Sequence, residues 1–365
     1  QILTLQSNQN RFYIMKNRLE KILLLTAVIC VFTSCGGQKE EKMQKFTLDG
    51  RTQGTYYHIV YYNFSDEVAK KKNLPTESQI KAGIDSIFNA IDASLSLWNP
   101  QSILSKVNRN ETVLLDKIFI ENFEASQRYS KLTDGYFDVT VCPLVQAYGF
   151  GNEKKQMPDA QQTDSIMQFV GFEKVRINGN KIEKDFHQIR LDFNAIAQGY
   201  TADKVSEYFK SRNINSHIVD IGGEVFAADK KPDGQKWRVA IEEPSDSLDA
   251  PREYNSFIKL ENQAIVTSGN YRKYIIEDGV KYSHSIDPKS GRPAKHSLLS
   301  VSIVAESATS ADAIATALMV MGLEKAQEFL DNNPQYGAVF IFCDSNGKTK
   351  TLISENLKVL IETLE

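Results

Sequence analysis

From residue 175 onward the chain is a run of short apolar segments broken by glycine and asparagine turns, and this punctuation constrains the fold more than any other feature. Residues 175–177 and 181–183 flank Asn178-Gly179, the two-residue signal of a tight hairpin. Further strands are expected over residues 189–193, 217–221, 225–228, 237–242, 257–260, 264–267, 271–277 and 281–286, and residues 337–342 pair with 350–354 across Asp344-Ser-Asn-Gly347. An earlier strand covers 54–62. Helical periodicity interrupts them. Thr76 after Pro75 caps a helix whose Ile80, Ile84, Ile87, Ile91 and Leu95 form one apolar stripe, with Lys81, Asp85 and Asn89 outside. Other helices are expected over 121–132, 162–169, 197–212, 324–331 and from Ala308 onward. Hairpins with interspersed helices, lacking regular strand–helix–strand alternation, predict an α+β fold with a mainly antiparallel sheet.

The first residues concern location and not fold. Met15 is followed by Lys16, Arg18 and Lys21, an apolar run over 22–32, and Thr33-Ser34-Cys35-Gly36-Gly37. That is a basic region, a short hydrophobic region and a small-residue processing site. Cysteine directly after the small residues resembles a lipobox, with Phe32 where leucine is usual. The expected organisation is therefore upstream residues and lipoprotein signal peptide over 1–34, lipidated Cys35 and a flexible tether over 35–45, and one domain over 46–365. Export and anchoring of the chain to a bacterial membrane through Cys35, facing the periplasm, follow as expectations.

Composition excludes some alternatives. A formal charge of −3 leaves no basic footprint for nucleic acid. The five histidines show no His-x-x-x-His spacing and there is no Cys-x-x-Cys, so a zinc site has little support. Cys142 and Cys343, in different apolar contexts, are expected as free thiols.

Two segments carry chemistry. One is the turn His284-Ser-Ile-Asp287-Pro-Lys-Ser-Gly291, and the other is the helix opening Ala308-Thr-Ser-Ala-Asp312-Ala-Ile-Ala-Thr316. Asp312 and Thr316 stand four residues apart, so their oxygens leave one helix face. A carboxylate and a hydroxyl suit Mg²⁺, which takes few protein ligands and completes its shell with water and phosphate. The same residues also fit a plain helix cap, with Ser310 or Thr309 as N-cap and Asp312 favourable to the dipole.

Taken in order, Gln53-Gly-Thr-Tyr56, Ser96-Leu-Trp98-Asn99, Gly135-Tyr-Phe-Asp138-Val-Thr140, Leu191-Asp192 to Tyr200, Asp220-Ile-Gly-Gly223, Thr267-Ser-Gly269, His284 to Gly291 and Asp312 to Thr316 resemble the ApbE family, the FAD:protein FMN transferases. The resemblance implies an ApbE-like (T-fold-like) architecture. It implies an enzyme that binds FAD with Mg²⁺ and transfers FMN to a threonine hydroxyl of an acceptor protein, releasing AMP. Carried over by position, it implies metal ligation by Asp312, Thr316 and the Ala195 carbonyl, with a flavin nucleotide lined by Gln53, Trp98, Tyr136, Phe137, Asp138, Asp192, Gln198 and Ile286. His284 becomes the candidate general base. Trp98 or Tyr136 would stack on a ring, the alternative being ordinary core aromatics.

Gln53, Gln198 and Ser285 depart from the methionine, lysine and apolar residue frequent at those places in the family. Gln198 can hydrogen-bond a nucleotide but supplies no positive charge. The acceptor pattern Asp-x-x-Ser/Thr-Gly-Ala/Ser-Thr is absent from the chain, so the acceptor is expected to be another exported protein, such as a quinone reductase or Rnf-type subunit. Two other readings use the same residues: an Mg²⁺-dependent FAD pyrophosphatase giving FMN and AMP, and a non-catalytic FAD-binding lipoprotein.

Overall fold

Eight strands, each pairing antiparallel with the one before it, form the central sheet. They are β1 (Gln44–Thr52), β2 (Thr55–Asn63), β3 (His217–Ile221), β4 (Glu224–Ala228), β5 (Gln263–Gly269), β6 (Leu298–Ala305), β7 (Gly337–Cys343) and β8 (Thr349–Ile353). The computed structural model describes residues 15, 41–150, 157–244, 254–270, 274–277, 280–283 and 285–363. The signal-peptide and Cys35 predictions, residues 271–273 of a predicted strand, and His284 lie outside the described residues.

Alternation along the strands sends side chains to both faces, and both are covered. Tyr57, Ile59 and Tyr61 of β2, Phe226 of β4, and Val301 and Ile303 of β6 enter the larger core, where they meet the helices α1 (Glu77–Leu95), α2 (Lys117–Leu132), α3 (Ala197–Ser211), α4 (Ala308–Met321) and α5 (Leu323–Asn332). Val60, Val225, Ala227, Ile265, Val304 and Val339 face the other way. There they pack on a three-stranded sheet of Trp237–Glu242, Tyr254–Leu260 and Ile361–Thr363, supplied by Trp237, Ile241, Ile258 and Leu260. Nearly every residue of α4 is buried, as expected of a helix that is apolar on all sides.

The mainly antiparallel α+β prediction holds, with local corrections. β1 was not anticipated and begins inside the predicted tether. It is an edge strand whose one buried residue is Leu48, with Phe46 partly covered on the same face, so most of its sequence reads as polar. In α1 Thr76 caps the helix as predicted, and with Gln79 it completes a capping box, but Phe88 is the buried residue of the middle turn, while Ile87 is only partly covered. Residues 189–193 do not form a strand. The Leu191 backbone instead exchanges two hydrogen bonds with the side chain of Asn108, and the Asp192 N–H donates to the Val139 carbonyl. A carboxamide thus replaces the ladder partner that a strand would need. Cys142 and Cys343 are free, as expected.

His217, buried at the start of β3, is held neutral. Its Nδ1–H donates to the Ile214 carbonyl (2.9 Å), so Nε2 accepts from the Ser206 hydroxyl (2.8 Å), while Phe209 stacks on the ring. Burial lowers its pKa from 6.5 to about 3. Between those values the unfolded chain binds the proton and the folded chain refuses it, so this contribution is full above pH 6.5 and drains away as pH falls. The loss amounts to about 1.4 kcal/mol per pH unit. Urea midpoints collected from pH 7 to 4.5 should therefore fall more steeply for the native chain than for His217→Gln. Parallel slopes would show that this imidazole does not govern acid stability.

Candidate functional site

The register gathers the glycine turns at one end of the sheet. Thr52 pairs with Thr55 around Gln53-Gly54, both with positive φ (49° and 75°), as a two-residue hairpin turn requires. Ile221 pairs with Glu224 around Gly222-Gly223, and Gly269 of β5 pairs with Ser300 near the start of β6. Because β2 and β4 begin, and β3 and β5 end, at this same end of the sheet, the two turns and the last residues of β5 lie at one place. α3 starts here and α4 runs back toward it. A Cβ on Gly222 would lie 2.7 Å from a Thr55 methyl and 3.1 Å from Gln198 Nε2, so glycine at this position allows both hairpin and helix to approach.

α3 and α4 bind each other through exchanged carboxylates. Gly199, the third residue of α3, has an N–H without an intrahelical partner, and it donates to Asp312 Oδ2 of α4 (3.0 Å). One turn along α3, Asp203 reaches the start of α4. Its Oδ1 accepts from the Ala308 N–H (2.8 Å), and its Oδ2 accepts from the Thr309 N–H (2.9 Å) and hydroxyl (2.5 Å). Gly199 is what permits this approach, since a Cβ there would lie 2.3 Å from the Ala308 carbonyl oxygen. The N-cap of α4 is Ser307, whose hydroxyl accepts from the Ser310 N–H (3.1 Å), and not Thr309 or Ser310 as the sequence suggested. Asp312 is thus spared from capping its own helix.

Asp312 is 5% exposed, and Gly199 supplies its hydrogen bond. Burial raises its carboxyl from 3.8 to about 7, opposed by the Gly199 N–H and reinforced by the nearby charge of Asp203. None of these influences is cationic. Thr316, one turn on, lies within 3.4 Å of the Ser268 hydroxyl at the sheet end. Among the described residues no three His, Cys, Asp or Glu side chains converge as a metal cluster. A cation here would therefore rest on Asp312, neutral oxygens such as Thr316 and the Ala195 carbonyl, and solvent or phosphate. That donor set fits Mg²⁺, and a buried carboxylate without a cationic partner is the kind of group it would neutralise.

The residues proposed to line a flavin divide into two groups. Gln53 Nε2 donates to Thr201 Oγ1 (2.5 Å), which leaves its Oε1 buried without a partner among the described residues. Trp98 is 65% exposed, which removes the core-aromatic alternative for it. Tyr136 is partly covered, with Lys289 and Lys325 ammonium groups 4.4 and 5.0 Å from its ring centre and Lys325 donating to its hydroxyl. Asp192 Oδ1 accepts from the Asn194 N–H and shapes the approach to Ala195.

Phe137 and Ile286, by contrast, are packed side chains. Phe137 lies in the main core, and Ile286 lies against Leu144, Tyr148 and Val170, so only their backbones remain for a ligand. The Asp138 carboxylate is committed to Thr140 and to the Phe172 N–H, and burial raises its pKa to about 6. Asp203 was missed by sequence reasoning. Its only signal was a carboxylate four residues after Gly199 on a predicted helix.

Comparison with known proteins decides the family: the ApbE family profile matches residues 53–340. The chain belongs to the ApbE family. A relative from Haemophilus influenzae named FAD:protein FMN transferase is 32% identical over 351 residues, covering 93% of this chain and 98% of its own. One of the same name from Vibrio cholerae is 35% identical over 318 residues, covering 85% and 90%. The solved Vibrio cholerae flavin transferase ApbE superposes with a TM-score of 0.76 at 32% identity, covering 87% of this chain and 99% of that one. An apo flavinyl transferase ApbE from Pseudomonas stutzeri gives 0.77 at 29% identity, covering 88% and 98%.

The close approach of α3 and α4 makes Gly199→Ala a sharp probe. Overpacking of this kind costs about 1–3 kcal/mol. The variant should show a lowered urea midpoint and reduced activity together, and unchanged stability would mean the two helices can separate freely.

Proposed function

We propose that this ApbE-family chain is an Mg²⁺-dependent FAD:protein FMN transferase, acting on a threonine hydroxyl of an exported acceptor and releasing AMP. The observation that carries the reading is Asp312: a buried carboxylate with one backbone donor and no cationic influence, beside Thr316 on the same helix face, at the sheet end where the family's turns meet. The curated relatives bear the transferase name over nearly their whole length.

In this reading the acceptor oxygen attacks the FMN-side phosphorus, a new phosphoester bond forms, and the bond to the AMP phosphate breaks. Mg²⁺, when bound, supplies charge neutralisation for the pyrophosphate and the departing AMP oxygen. Asp312, Thr316 and the Ala195 carbonyl are the residues that would hold it. The chain's other groups bind and orient. Gln53 offers its buried Oε1 as an acceptor, Trp98 offers an exposed aromatic face, and Gln198 offers a carboxamide beside Gly222. His284, from its place in the sequence motif, is assigned the acceptor hydroxyl's proton, a role worth roughly 10²- to 10⁴-fold. Lipid attachment at Cys35 would place the reaction at a bacterial membrane facing the periplasm, against exported acceptors.

The test incubates the soluble chain from residue 36 onward with FAD, Mg²⁺ and a protein carrying Asp-x-x-Ser/Thr-Gly-Ala/Ser-Thr, followed by intact-mass spectrometry of the acceptor. An FMN-sized gain, lost with EDTA and in Asp312→Ala, is expected. FMN and AMP without adduct would replace the reading with a pyrophosphatase, and unconsumed FAD with a binding protein. His284→Ala should slow transfer while FAD binding persists, and equal loss of both would make His284 structural.

A further inference from the structure

We infer that Asp203 is a positioning residue for the cation-binding face of α4: by gripping the first turn of that helix it sets where Asp312 and Thr316 stand relative to α3 and the Ala195 carbonyl before it. The inference rests on the metal reading proposed above and adds a residue that neither the helix motif nor the turn motifs contain.

The geometry is reciprocal. Each helix lends a carboxylate to free N–H groups in the first turn of the other, and the two contacts are one helical turn apart along both elements: Gly199 with Asp312, and Asp203 with Ala308 and Thr309. Two anchors so spaced fix both the sliding of α4 along α3 and its rotation. With one anchor lost, only apolar packing, which is not directional, would set the rotation of α4.

The Asp203 anchor is the stronger, with three donors on one carboxylate against one on Asp312. It also satisfies N–H groups of α4 that its own N-cap, Ser307, does not reach, since Ser307 is occupied with Ser310. Among the described residues Asp312 is thereby needed for only one hydrogen bond, which leaves the rest of its coordinating capacity for a cation. Mg²⁺ demands near-octahedral geometry at about 2.0–2.1 Å, so a shift of α4 by a few tenths of an ångström would register as weakened binding. A purely structural role for Asp203 would lower stability but leave the affinity of the folded protein for metal unchanged.

The experiment titrates Mn²⁺ into the full chain and reads free aquo-ion by electron paramagnetic resonance, for the native protein, Asp312→Ala, Asp203→Asn, Thr309→Val and Thr309→Ser, with the melting temperature of each. The native chain should bind Mn²⁺ and Asp312→Ala should not. Asp203→Asn should bind about tenfold more weakly, at the low end of what loss of an outer-shell partner costs. Thr309→Val should weaken binding in the same direction and Thr309→Ser should restore it. In the transfer reaction, Asp203→Asn should raise the Mg²⁺ concentration for half-maximal rate more than it lowers the rate at saturating Mg²⁺. Native Mn²⁺ affinity in Asp203→Asn, or in Thr309→Val should the first variant fail to fold, overturns the positioning role while leaving the metal reading intact. Binding indifferent to Asp312→Ala overturns the metal reading and this inference with it.

Discussion

The contact between α3 and α4 is the constraint on which the rest of this structure depends. Two helix N-termini are buried side by side, and a buried N–H without a partner costs about 1–3 kcal/mol. Here the donors are satisfied by exchange, with Asp312 serving α3 and Asp203 serving α4. The exchange works only because residue 199 has no side chain, since a Cβ would strike the Ala308 carbonyl. The consequence is a carboxylate locked inside the protein that accepts one hydrogen bond among the described residues.

The sheet supplies the second condition. Sequential antiparallel pairing returns the chain to the same edge at every second turn, so Gln53-Gly54, Gly222-Gly223 and Ser268-Gly269 become neighbours although they are far apart in sequence. Covering both faces with apolar layers leaves that edge as the natural place for polar groups. The Ser268 hydroxyl near Thr316 ties the edge to the helix.

Much of the fold was legible because the relevant signals are local. The Thr76 capping box, the Asn178-Gly179 hairpin and strands such as His217–Ile221 follow from periodicity and turn chemistry within a few residues. Where the reading failed, a distant group intervened. Asn108 took the hydrogen bonds that would have made residues 189–193 a strand, and β1 escaped notice because, as an edge strand, it turns only Phe46 and Leu48 toward the core between polar neighbours. The site was legible in the same measure. The pairing of Asp312 with Thr316 is a helical spacing, visible in the chain, whereas the burial of Phe137 and Ile286 and the commitment of Asp138 to Thr140 and Phe172 are not.

The sequence by itself determined the element types, the antiparallel class, the family motifs and the candidate oxygens on one face of α4, because each of these depends on residues near one another along the chain. Tertiary structure alone decided which carboxylate is spent and which is spared. Asp138, Asp203 and Asp312 are chemically identical side chains, and only the donors brought to them across the fold separate a loop brace, an anchor with three donors and a buried carboxylate held by the Gly199 N–H. Hydrogen-bond satisfaction of buried groups is a property of the packed whole, so no local pattern could assign those three roles.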